Sequence, residues 1–116
     1  MHVGGAVIPR MTPSALTAWR PAKDGRSVSW TPLGSMRCRW DESRETTAGT
    51  SGDTASWIAE LIIPSGSDEP PLMRGDRVAL GERDGGEPTP DALTVTGCCP
   101  VHLGGARPHH WEATAR

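Results

Sequence analysis

Phenylalanine and tyrosine are absent from this 116-residue chain, so five tryptophans supply every aromatic ring. With hydrophobic residues at only 35% of the chain, Trp19, Trp30, Trp40, Trp57 and Trp111 must provide much of any core. Their indole N–H groups then need partners at the ends of a sheet or at subunit contacts. Long apolar runs are also missing, and no stretch approaches the length of a membrane-spanning helix. The first ten residues, "MHVGGAVIPR", lack the basic start and extended apolar run of a secretory leader. Cysteine is scarce and odd in number: Cys38, Cys98 and Cys99. Two of the three are neighbours that do not easily bridge, which excludes a disulfide scaffold and points to a reduced, cytoplasmic setting. No excess of basic charge exists, since twelve Lys and Arg stand against fourteen Asp and Glu for a net charge of −2. Tight duplex binding through phosphate neutralisation therefore has little support.

What is abundant is glycine (14) and proline (11), two residue types that interrupt helices. No 3.6-residue period is sustained anywhere, and the length suits one domain. The segment 1–13 has no clear period and reads as an arm ordered only against a partner. From residue 14 onward, short strands alternate with turns. "SALTAWRP" is a first strand ended by Pro21, and Asp24–Gly25 is a strong hairpin turn signal. "SMRCRWDE" has the cleanest two-residue period, with Met36, Cys38 and Trp40 opposed to Arg37, Arg39 and Asp41. "TASWIAELIIP" sets Trp57, Ala59, Leu61 and Ile63 on one face, and Ile58, Glu60 and Ile62 on a second, still largely apolar face. Such a strand expects cover on both sides. "DRVAL", "DALTVTGCC" and "HHWEATA" complete the set, with "PVHLGGARP" as a turn or bulge. The expectation is an all-β domain over 14–116, a small six-stranded barrel or sandwich with long loops. Its last strand is ordered because it closes the sheet.

Candidate chemistry is thin. On a strand the adjacent His109 and His110 point to opposite faces and cannot jointly hold one metal ion. "CCPVH" offers Cys98, Cys99 and His102, which Cys38 could join from another strand, but a second ligand pair at zinc-site spacing is missing. Small buried apolar cysteines are the expected reading. A Cys–His hydrolase lacks a glycine-flanked nucleophile or a carboxylate pair, so no enzyme, catalytic residue, metal or cofactor is expected. Arg74-Gly75-Asp76 resembles an adhesion tripeptide but serves equally as a strand-entry turn. Paired glycines form neither a dinucleotide fingerprint nor a phosphate loop. The polar stretch 43–53 is a long loop, which the sequence alone reads first as a floppy hairpin connection. Its Arg44, Glu45, Thr46, Thr47, Ala48, Gly49, Thr50, Ser51, Gly52 and Asp53 would suit a segment lining a wet channel without adhering to nucleic acid.

The ordered series "LTAWRPAKDG", "MRCRW", "WIAELIIP", "PPLMRGDRVALGE", "PDALTVTGCCPV" and "GGARPHHWEATA" resembles the head-completion or minor capsid proteins of tailed phages. These act as head-to-tail stoppers in the connector. The matching positions are Ile62–Ile63–Pro64, Gly75–Asp76–Arg77–Val78, Asp91 to Val95, and His110–Trp111–Glu112. The likeness runs from about Leu16 onward, although "CCPVHLGG" departs from the pattern and the first thirteen residues match nothing in it. It implies a barrel protomer repeated as a hexameric or dodecameric ring in the virion neck, made in the host cytoplasm. The portal or adaptor would lie on the head side and the tail terminator or tail tube on the tail side. The loop Arg44 to Asp53 would project into the channel as a gate on the phage DNA passing through. Trp57, Ile58, Glu60, Ile62, Arg74 and Asp76 are the expected contacts between copies, burying surface that one copy alone leaves wet. Other neck or tail-tube barrels, such as a tail terminator, share this outline. A single-strand-binding barrel of the OB type, stacking bases on Trp19, Trp30 or Trp40, is a further alternative.

Overall fold

The computed structural model describes residues 12–47, 52 and 54–116. Those residues form six strands: β1 (Ser14–Asp24), β2 (Ser27–Thr47), β3 (Thr54–Pro64), β4 (Arg77–Leu80), β5 (Leu93–Val101) and β6 (His110–Ala115). They close into an antiparallel barrel in the order β1-β2-β3-β6-β5-β4. The all-β, six-stranded expectation is met as a barrel. Of the arm expected over 1–13, residues 1–11 lie outside those described. Thr12 is buried, and its carbonyl accepts a hydrogen bond from the Arg37 guanidinium at 2.9 Å.

The two-residue period places side chains as expected. Met36, Cys38 and Trp40 turn inward or are half-buried, while Arg37, Arg39 and Asp41 are exposed. On β6, Trp111, Ala113 and Ala115 are buried and alternate with exposed Glu112 and Thr114. β6 is clamped on both sides, by β3 from Pro64↔His110 to Ala59↔Ala115 and by β5 from Val101↔His110 to Val95↔Ala115. That clamping is why a strand rich in alanine is ordered. The interior is filled by Leu16, Leu61, Ile63, Leu72, Val78, Val95 and Trp111 with small neighbours, so the barrel is too narrow to hold anything but side chains.

Only two of the five tryptophans are core residues. Trp19 is fully buried and donates its indole N–H to the Gly85 carbonyl at 3.2 Å. Trp111 is 5% exposed, and its indole N–H has no partner among the described residues. Trp57 is half exposed.

β1 runs through Pro21 to Asp24, past the expected stop. Pairing with β4 ends at Trp19↔Arg77, so the remainder of β1 pairs with β2 alone. A ribbon with one open edge tolerates proline. The hairpin turns on Gly25–Arg26 between paired Asp24 and Ser27. Gly25 has φ +63° and no described residue other than glycine has positive φ, the pattern of a II′ turn with glycine first. In β2 the register slips at Leu33, between Trp19↔Pro32 and Ala18↔Gly34, where Gly34 takes φ +83°. This bulge absorbs Pro32 and lets one 21-residue strand serve both sides of the barrel.

Candidate functional site

β2 pairs with β1 up to Cys38 and with β3 from Arg39 to Thr47. β3 pairs with β6 only from Ala59 onward. The five pairs from Ser43↔Ile58 to Thr47↔Thr54 therefore form a two-stranded ribbon that leaves the barrel. At ~3.4 Å per residue it reaches about 17 Å beyond the last strand that flanks it. The tip is shorter than the 43–53 loop expected from sequence. Ser43, Arg44, Glu45, Thr46 and Thr47 are strand, paired with Ile58 back to Thr54. The stretch reads as a loop because Ser43, Arg44, Glu45 and Thr46 are all exposed and give no apolar alternation, although its threonines favour strand. Ala48, Gly49, Thr50, Ser51 and Asp53 lie outside the described residues. Gly52 has φ +117°.

The ribbon has its own internal contacts. The Arg44 guanidinium lies over the Trp57 ring, 5.3 Å from its centroid, across the Arg44↔Trp57 pair. An exposed contact of this kind contributes about 0.5–1 kcal/mol. At the ribbon's base, Arg116 approaches Glu45 at 3.7 Å, with both side chains more than half exposed, so this pair adds little. Trp57 and Leu80 stay 50% and 42% exposed around a shallow dip that also takes in Trp40 and Leu93.

The remaining expected contact residues separate into two kinds. Ile58 and Ile62 are half-buried and Glu60 is exposed on the outer face of β3. Ile62 sits between Arg39 of β2 and Glu112 of β6 and, with Gly97, lines a depression of about 400 Å³. Arg74 is exposed. Asp76, in contrast, is 1% exposed and already engaged within the chain. Both its carboxylate oxygens accept from Arg20, at 3.0 and 2.9 Å, and one accepts the Met73 N–H at 2.8 Å. The Asp76 N–H donates to the Met73 carbonyl at 3.0 Å, closing a turn in which Gly75 takes φ +97°. That is a type II turn, which requires glycine at its third position. The Arg-Gly-Asp sequence is thus a strand entry whose aspartate faces inward. The ion pair also raises the Arg20 guanidinium further above its ordinary range, chiefly through the Asp76 hydrogen bonds.

Asp91 does a related job at the entry to β5. It accepts from Thr89 Oγ1 at 2.7 Å and from both terminal nitrogens of Arg83, at 3.3 and 2.9 Å. These partners, Thr89 first, hold its carboxyl below the usual carboxylate value of 3.8.

The histidine pair corrects the sequence expectation. His109 precedes β6, whose first residue is His110, so strand alternation does not separate them. Their Nδ1 atoms lie 2.8 Å apart with rings edge-on at 83°. His110 Nε2 faces Glu112 Oε1 at 3.3 Å. Cys38 is buried, with its thiol pushed up to about 11 by desolvation, while Cys98 is half-buried and Cys99 exposed. Among the described residues, no three His, Cys, Asp or Glu side chains are grouped to hold a metal ion, so Cys38, Cys98, Cys99 and His102 are not brought together. Nor does any described helix have the length and apolarity to cross a membrane.

Trp19, offered as a stacking platform in the OB-type alternative, is fully buried and cannot meet a base. Arg39, beside Trp40, is paired with Asp41 at 3.1 Å. No family model, curated protein or solved structure matches the chain.

Proposed function

We propose that this chain is a structural, non-enzymatic protein of a tailed-phage neck. Its barrel would repeat in a closed ring as a head-to-tail stopper, between a portal or adaptor ring and the tail. The supporting observation is the β2–β3 ribbon, which runs five residue pairs, about 17 Å, past the last strand that flanks it in a closed barrel. In a ring of such barrels the ribbons would point toward the axis, and the small residue types at 48–53 would suit a crowded lumen. With Arg44, Glu45 and Asp53 nearly balancing in charge, the lumen they line would not hold phosphates and slow the passage of DNA. Trp57 and Leu80 at the ribbon's base supply apolar surface that a neighbouring copy would cover, which suits a heterologous ring interface.

Imaging of the neck in purified virus particles tests this reading. The chain is expected as a ring between portal and tail, ribbons inward. A ring at the tail's upper end makes it a terminator instead, and absence from the particles overturns the reading altogether.

A further inference from the structure

The geometry points to a two-histidine site between His109 Nδ1 and His110 Nδ1 for a divalent transition-metal ion of tetragonal or octahedral preference, such as Cu(II) or Ni(II). This site does not depend on the role in a neck. The two nitrogens are 2.8 Å apart. Ligands at about 2.0 Å that subtend a right angle at the metal lie about 2.8 Å from each other. A tetrahedral zinc ion, with Zn–N of about 2.0–2.1 Å, needs about 3.3 Å. In the metal-free chain this separation is that of an N–H···N hydrogen bond, and it equals the spacing of adjacent positions on a square-planar or octahedral ion.

The surroundings prepare the pair. His110 Nε2 is held by Glu112 Oε1 at 3.3 Å, so its proton belongs on Nε2 and its Nδ1 lone pair is left available. A carboxylate behind a ligating histidine is the usual outer arrangement that orients the ring and raises its basicity. The His110 side chain is 13% exposed, and its backbone is paired on both sides, with Pro64 and Val101. The His109 N–H donates to the Val101 carbonyl at 2.7 Å, fixing the second ligand to the same strand. Metal entry needs His109 to carry its proton on Nε2 rather than Nδ1, a tautomer change with no net loss of charge. His109 also borders an open groove of about 620 Å³ between Ser65–Ser67 and Leu103–Pro108, which leaves water room to fill the other coordination positions. With two protein ligands the site is a docking point for an exchangeable ion and not a folding centre.

The test uses the full chain without a polyhistidine tag, in a His2→Ala background, titrated calorimetrically with Cu(II), Ni(II) and Zn(II). One saturable equivalent of Cu(II) is expected, with two-nitrogen coordination in its EPR spectrum. Cu(II) is expected tightest and Ni(II) above Zn(II), the common order for nitrogen donors, so the reading specific to the right-angle geometry is two equatorial nitrogens in the Cu(II) EPR spectrum. His109→Ala and His110→Ala should each weaken Cu(II) at least tenfold, and Glu112→Gln about tenfold. His102→Ala should change nothing. Should a histidine variant fail to fold, Cu(II) broadening of amide NMR signals in the parent chain decides, and it is expected around Val101, Ser65–Ser67 and His109–Glu112. Broadening elsewhere, Zn(II) held more tightly than Ni(II), or binding that survives both histidine variants overturns the site.

Discussion

The guanidinium of Arg20 on β1 grips the carboxylate of Asp76, just ahead of β4, through two hydrogen bonds of 3.0 and 2.9 Å. The acid is 1% exposed and the base 37%, so the pair straddles the barrel wall. Residues 56 apart in sequence are joined there, and with them the strand entry that carries Gly75. Arg20→Ala would leave a buried carboxylate with only the Met73 N–H. We expect a loss of about 3 kcal/mol, the low end for breaking a buried pair because Arg20 keeps some water. Arg20→Lys should fall between, since an ammonium cannot make the two-pronged contact. Urea unfolding with unchanged slope and a lowered midpoint is the check.

Acid should weaken the β5 entry. The folded Asp91 carboxyl is depressed, so its contribution is full above the ordinary value of 3.8 and is lost as pH falls through the lower folded value. Asp91→Asn should lie slightly below the parent at neutral pH and flatten the acid part of the profile, so that the two converge as pH falls through the folded value. Because the side chain is 59% exposed, the effect should be small. Unfolding midpoints across an acidic pH series measure it.

The cysteines should behave unequally. Cys99 is exposed and should react first with a thiol reagent, whereas Cys38 should react only on unfolding. Burial raises the Cys38 thiol from 9.0 to about 11, so its contribution is intact below 9 and declines as pH rises through that interval. Mass spectrometry of partially labelled native protein gives the order of reaction. Labelling of Cys38 before Cys99 would contradict the packing.

Replacing Glu45–Ser56 by a two-residue Asn-Gly turn would close the hairpin at the Arg44↔Trp57 pair. Glu45, Thr46, Gly52 and Ser56 are exposed, so stability is expected to change by no more than about 1 kcal/mol. If the chain has the proposed stopper role, the same change should let packaged DNA leak from heads. Heads that stay full would remove the gating role of the ribbon while leaving a ring role standing.

Wherever one face of a strand was buried and the other wet, the strand was legible from the chain itself. Met36-Cys38-Trp40 and Trp111-Ala113-Ala115 announce their inward faces by period alone, and glycine and proline mark the breaks. The ribbon over 43–47 has no such signature, because Ser43, Arg44, Glu45 and Thr46 are polar and exposed alike. Nor has the run of β1 through Pro21, because nothing in sequence says that β1 loses one neighbour at Trp19.

The sequence alone determined an all-β chain of six strands with a closing β6, because alternation with a period of two is a local property of side chains on a pleated backbone. Tertiary structure alone decided that Asp76 points inward to Arg20, that His109 meets His110 nitrogen to nitrogen, and that β2 carries a ribbon past the barrel. Each depends on where a strand ends relative to its neighbours, and that register is set by pairing between segments far apart in the chain.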